Sequence, residues 1–160
     1  MRPAWLAALL RRFMNRGYVK ELFTIRDARA SDMELIDAYA HAEGMDRMPG
    51  LERIRVAVND EDIVVGFCRL QDDVNGIAYV NPIVTCQTWR GYGVGRALIK
   101  DARETAGELR LISRGASEGF YRKLGFVEMP WSEVDLEAAS EDCDNCPWRD
   151  ACGPVPMKLT

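Results

Sequence analysis

The sequence has a single histidine, His41, no excess of positive charge and no long apolar run. Each lack removes a class of function. No stretch approaches about 18 consecutive apolar residues, so no transmembrane helix and no membrane partner are expected. The net charge of −4 and a pI near 5.1 argue against nucleic acid or another polyanion drawn in by whole-molecule attraction. Without internal repeats or low-complexity segments, 160 residues fit one domain with a full hydrophobic core. The run Trp5-Leu6-Ala7-Ala8-Leu9-Leu10 is too brief for a secretory signal, and Arg11 and Arg12 follow where a cleavage site should lie. The expected address is the cytoplasm, where cysteines are reduced, buried or metal-bound more often than paired. His41 suits a general base near neutral pH, yet its place on a predicted helix reads as a solvent-facing side chain.

What is present is a glycine-rich turn, Trp89-Arg90-Gly91-Tyr92-Gly93-Val94-Gly95-Arg96. Glycines at alternate positions let the backbone turn tightly with its N–H groups inward. A helix predicted from Arg96 adds unsatisfied donors and the positive end of a macrodipole, a setting for a pyrophosphate. Two nucleotide motifs do not fit. The spacing is not G-x-G-x-x-G, and Gly95-Arg96-Ala97 lacks the lysine and hydroxyl of a P-loop.

The pattern R-x-x-G-x-G, carried by Arg90, Gly93 and Gly95 after the apolar strand Ile83-Val84-Thr85, resembles the coenzyme loop of the GNAT superfamily of N-acetyltransferases. A second block, Phe120-Tyr121-Arg122-Lys123-Leu124-Gly125-Phe126, resembles that family's F-Y-x-x-x-G-F segment. The resemblance spans about residues 23–131. It implies an α/β fold with a central, mostly antiparallel sheet flanked by helices. It also implies acetyl-CoA as cosubstrate, held by Val84, Thr85 and Cys86 at the strand end and by Arg90, Gly91, Tyr92, Gly93, Val94, Gly95 and Arg96. Tyr121 falls on the tyrosine that many members use as general acid beside the coenzyme sulfur. The family's frequent glutamate before the proline of that strand is Asn81 here. A water relay through Asn81 or Tyr79, or a carboxylate such as Glu43 or Glu52, is left as the base. Cys86 suggests a covalent acyl-enzyme, which is disfavoured because direct attack by an amine needs no cysteine and no histidine partner is evident.

In chain order, residues 1–20 read as a basic amphipathic helix that packs on its own domain or on a second subunit. A strand at 22–26 precedes a helix N-capped by Ser31, with Glu34 at capping-box spacing. Strands at 54–58, 63–70 and 77–85 on short polar turns imply an antiparallel meander. Pro82 removes a ladder donor from the third, so a bulge or unpaired position is expected. In the resembled family this strand splays from its neighbour and admits the pantetheine arm. A strand at 109–113, a helix from Ser117 and a return at 126–129 complete the domain, taken as 21–131.

Residues 132–160 read as a cysteine-rich tail packed on that domain. Cys143 and Cys146 stand two residues apart and Cys152 follows, so a zinc or iron–sulfur site is one reading. A reduced or disulfide-linked surface tail packed by Trp148 is the other. The C-x-x-C-P spacing with a later cysteine also resembles some short bacterial N-acetylglutamate synthases. The leading function is acetyl transfer to a primary amine, on a small molecule or a protein, by direct attack. An amino-acid acetyltransferase of the N-acetylglutamate synthase type is the alternative within the class. A non-catalytic acyl-CoA-binding or metal-responsive module is the alternative outside it. Exposed sheet edges or added helices make a homodimer compatible with such a domain.

Overall fold

The computed structural model describes residues 22–160; the helix expected over 1–20 lies outside them. Among the described residues, seven strands form one mixed sheet in the order β1-β2-β3-β4-β5-β7-β6. The first four are β1 (Thr24–Asp27), β2 (Ile54–Val58), β3 (Val64–Asp72) and β4 (Ala78–Thr85), and they make the expected antiparallel meander. Its turns are set by short polar side chains that bond their own backbone. Asn59 Oδ1 accepts the N–H groups of Glu61 and Ile63, and Asp73 Oδ1 accepts those of Asn75 and Ile77.

Helix α1 (Met33–Ala42) buries Ile36 and Ala40 against Ile54, Val56, Val64, Phe67 and Val84 on one face of the sheet. Its start corrects the sequence reading. A 3-10 turn, Ala30–Asp32, leads into it, and the capping carboxylate is Asp32, not Ser31. Asp32 accepts the Arg29 N–H at 2.7 Å and takes both ends of the Arg26 guanidinium at 2.7 and 3.0 Å. That forked pair from β1 draws the aspartate inward, leaving it 5 % exposed.

Helix α2 (Val94–Ala106) covers the other face with Val94, Leu98, Ile99 and Ala102, a stripe at i, i+4, i+5 and i+8. It starts two residues before the Arg96 that the sequence suggested, because Gly93 enters the left-handed region at φ 85° and turns the chain directly into the helix. Gly66 on β3 permits this close seat: a Cβ there would stand 2.8 Å from Cγ1 of Val94 and 2.9 Å from the Val84 carbonyl oxygen.

Beyond α2 come β5 (Leu109–Ser113), the short helix α3 (Glu118–Lys123), β6 (Val127–Glu128), α4 (Arg149–Cys152) and β7 (Val155–Leu159). Residues 129–154 leave the sheet after β6, and the chain returns as β7 between β5 and β6. In the segment read as a tail, Ala138 and Ala139 bury against Tyr79 and Met129. The segment also supplies a sheet strand whose Met157 is fully buried. Arg149, stacked 4.5 Å over the Trp131 ring and paired with Asp144 at 3.0 Å, fastens the excursion. Trp148, expected as its packing residue, is 72 % exposed.

Candidate active site

Strand β4 is bonded differently along its two edges. Toward β3 it pairs from Ala78 to Thr85, interrupted where Arg69 alone faces Asn81 and Pro82. This is the bulge expected at the proline. Toward β5 only Ala78 and Tyr79 pair, with Leu109 and Arg110. Past that point the strands part, and β5 continues with β7 as its partner. The Cys86 N–H donates to the Val65 carbonyl at 2.9 Å. Antiparallel alternation then turns the Val84 N–H toward β3 as well, and turns those of Ile83 and Thr85 into the opening. Of the three strand-end groups proposed from sequence, Val84 and Cys86 therefore spend their N–H groups on the sheet, and Thr85 keeps one toward the gap.

The glycine turn sits at the mouth of this opening. A 3-10 turn, Gln87–Trp89, leads into it. Gly91 and Gly93 both take positive φ, at 83° and 85°, with no atom of the described residues within 4 Å of where a Cβ would stand. The first intrahelical bond is Ala97 N–H to the Gly93 carbonyl, which leaves the N–H groups of Val94, Gly95 and Arg96 without intrahelical acceptors. Gly95 has a second task. A Cβ there would lie 3.1 Å from Cζ of Phe120 and 3.7 Å from Oγ1 of Thr85, so the missing side chain lets α3 close on the loop and the strand end together.

Tyr121, next to Phe120, packs edge-on against Phe120 and Phe126 at 5.1 and 5.5 Å. Its hydroxyl has no hydrogen-bond partner among the described residues. Burial pushes its pKa up to about 12, with Cys68 adding to the shift and Arg114 opposing it. The phenol is neutral across the physiological range and its proton is free to be donated.

The remaining candidates separate. Arg90 donates to Glu43 at the end of α1 and to the Thr85 carbonyl, so it clamps the loop to the strand end and to α1 and occupies one candidate base. Glu52 is exposed in the loop before β2. Tyr79 is fully buried; its hydroxyl accepts the Asp135 N–H at 2.9 Å and donates to the Glu133 carbonyl at 3.5 Å, so it anchors the excursion. His41 is exposed, as expected, on the outer stripe of α1 beside a hollow of about 630 Å³. Burial pushes the Cys86 thiol up, but hydrogen bonds with Thr88 and Tyr39 and the charge of Arg90 outweigh it and hold the thiol below its ordinary value. In the excursion Cys143 is buried, Cys146 exposed and Cys152 half-buried, all as free thiols. No three His, Cys, Asp or Glu side chains among the described residues come together as a metal-ligand set. The zinc or iron–sulfur reading thus gains no support from the geometry, since a two-residue spacing presents two thiolates only when both face the same point.

Residues 50–128 match the family model of the acetyltransferase (GNAT) domain. The chain carries a GNAT acetyltransferase domain. An uncharacterised N-acetyltransferase of Chlorobaculum tepidum is 27 % identical over 154 residues, which are 85 % of this chain and 95 % of that one. The peptidyl-lysine N-acetyltransferase YjaB of Escherichia coli is 40 % identical over 83 residues, which are 50 % of this chain and 53 % of YjaB. This chain thus spans about half of YjaB's length. A Mycobacterium tuberculosis protein solved with CoA has the same fold, with a TM-score of 0.69 at 18 % identity over 86 % of this chain and 98 % of that one. As a GNAT N-acetyltransferase the chain is an acetyl-CoA-dependent acyltransferase. No helix among the described residues is long and apolar enough to cross a membrane.

Two contacts around the site were invisible in the sequence. Gly66 lies mid-strand, where a glycine reads as a weak strand residue until the helix above it is known. Glu43 drew notice as a base, and its contact with Arg90 lies 47 positions away.

Proposed function

We propose that acetyl-CoA lies with its pyrophosphate on the inward N–H groups of residues 91–96, its pantetheine arm in the opening between β4 and β5, and its thioester near Tyr121. The observation that carries this reading is convergence. The edge of β4 left open by β5 and the helix-starting glycine turn meet at Thr85 and Gly95 beside Phe120, and the next residue, Tyr121, carries a hydroxyl with no hydrogen bond among the described residues. The amine arrives as free base, since an ammonium has no lone pair, and attacks the thioester carbon. The new N–C bond forms as the carbonyl oxygen gains charge, which the gap-facing N–H of Ile83 or Thr85 stabilises. Collapse breaks the C–S bond. A phenol near 12 is a weaker acid than a thiol of about 8.5, so Tyr121 donates a hydrogen bond to the departing thiolate, and the proton that nitrogen sheds goes to the sulfur or to water.

The acceptor is a primary amine. YjaB's name favours a protein lysine, and the amino-acid alternative is developed below. Calorimetry of acetyl-CoA with the wild type and with Gly93→Trp tests the coenzyme placement. The folded wild type is expected to bind, and the variant, whose indole fills the space above the turn, to lose at least about 10-fold in affinity, or 1.4 kcal/mol. Absence of binding by the folded wild type would reduce the glycine turn to a connection. An amine screen reading free CoA follows.

A further inference from the structure

The arginines of this domain divide sharply. Among the half-buried ones, Arg26, Arg55, Arg110 and Arg149 each lie within salt-bridge distance of a carboxylate. Arg69 is half-buried in the middle of β3 and no described carboxylate pairs with it. Its Nη1 donates to the Asn81 carbonyl at 3.0 Å and to Gln71 Oε1 at 3.2 Å. Its Nε and Nη2 make no hydrogen bond among the described residues. A guanidinium partly out of water calls for an anion, and its free Nε–Nη2 edge suits a carboxylate.

A second donor lies beside it. Asn81 Nδ2 is buried and has no hydrogen-bond partner among the described residues, although burying an amide without one costs about 1–3 kcal/mol. Arg69 and Asn81 are bridged across the bulge, on the face of the sheet opposite α2. There the α1 cluster with Phe67 and Val84 ends and the excursion's cluster on Tyr79 begins. Gln71, held by Ser140 and the Glu137 carbonyl, ties the guanidinium to the excursion. The bulge is two residues from Ile83, whose N–H faces the opening. At about 3.3 Å per strand residue that is roughly 7 Å, the span between the carboxylate and the reacting amine of a small amino acid and its thioester partner.

We propose that Arg69 and Asn81 bind the carboxylate of the acceptor, so that the substrate class is a small amine carrying a carboxylate a few bonds from its nitrogen, an amino acid and not a protein lysine. This rests on the acetyl-transfer reading above. Removing the charge removes the discrimination between acid and amide, and leaves coenzyme binding unchanged.

The test compares amino acids with their α-carboxamides and with a lysine peptide, at equal concentrations of unprotonated amine, by CoA release. In parallel, CoA-loaded protein is titrated with N-acetyl amino acids and their amides. The wild type is expected to favour the acids by about 10–150-fold, the range for a hydrogen bond to a charged group. Arg69→Gln, which keeps a donor for the Asn81 carbonyl, abolishes that preference with unchanged acetyl-CoA affinity, and Arg69→Lys restores part of it. Equal use of acids and amides by the wild type, preference for the peptide, or an equal loss on both in Arg69→Gln overturns the assignment. CoA release from no amine overturns the transfer reading itself. The titration still decides the carboxylate site in that case, where equal affinity for acid and amide overturns it.

Discussion

The two edges of β4 carry the same residues and have opposite fates. Against β3 the strand is zipped on both sides of the bulge, with Val84 and Phe67 in one packed cluster. Against β5 it is joined by two residue pairs and then open. Backbone N–H groups that go unpaired inside a protein are costly, and are kept only where a side chain, water or ligand satisfies them. Away from the bulge, the packed edge therefore holds the domain together, and the open edge is left for what the domain acts on. Substitutions of side chains packed in the core on the β3 side should register as stability, and those on the open side as turnover.

The largest separation is expected from the packed side. Phe67 is fully buried, and Phe67→Ala should cost about 3–5 kcal/mol of unfolding free energy, read as a lower urea midpoint with the slope unchanged. Acetyl-CoA affinity below the transition should persist. A variant as stable as wild type that no longer binds coenzyme would show that the two edges cannot be separated.

Tyr121→Phe probes the open side. The hydroxyl has no partner to lose within the described residues, so stability should stay within about 0.5 kcal/mol. Turnover should drop by about 10²-fold or more if the phenol assists the leaving thiolate. Full activity in the variant would remove Tyr121 from the mechanism and leave it as a packing residue between Phe120 and Phe126.

The same contrast explains what was legible in the sequence. Gly91, Gly93 and Pro82 act through their own backbone, so the turn and the bulge could be located from local chemistry. The meander followed too, because Asn59 and Asp73 close its turns within a few residues. The split between β4 and β5 has no local signature, because Val80 to Thr85 read as strand whether or not a neighbour pairs with them. In the same way β7 was hidden, since its place between β5 and β6 depends on partners reached only after the excursion. Ser31 reads as the cap from its spacing to Glu34, because the partner that draws Asp32 inward, Arg26, belongs to another element. Arg69 was passed over for a related reason: an arginine on a strand reads as surface until every neighbouring carboxylate is seen to be engaged elsewhere.

The smallest effect uses two thiols that sample the two environments. Cys68 stands on β3 within the packed core, and burial raises its thiol to about 12. Cys86 ends β4 at the mouth of the opening, half-buried, with hydrogen bonds and the Arg90 charge overcoming the cost of burial to lower its thiol. The thiolate is the form that alkylates. At a fixed pH near 7.5, Cys86 should then react with iodoacetamide in the native protein, and Cys68 only through unfolding. As pH falls, Cys86 labelling should persist to lower pH than that of an ordinary thiol, because its folded value lies below the unfolded one. Mass mapping of the labelled peptides separates both from Cys143, Cys146 and Cys152. Adding urea to the transition should bring Cys68 to the reactivity of a free thiol while changing Cys86 less. If Cys68 instead labels in native buffer as fast as Cys86, the β3 side is open as well, and the difference between the edges of β4 would no longer account for where the chemistry lies.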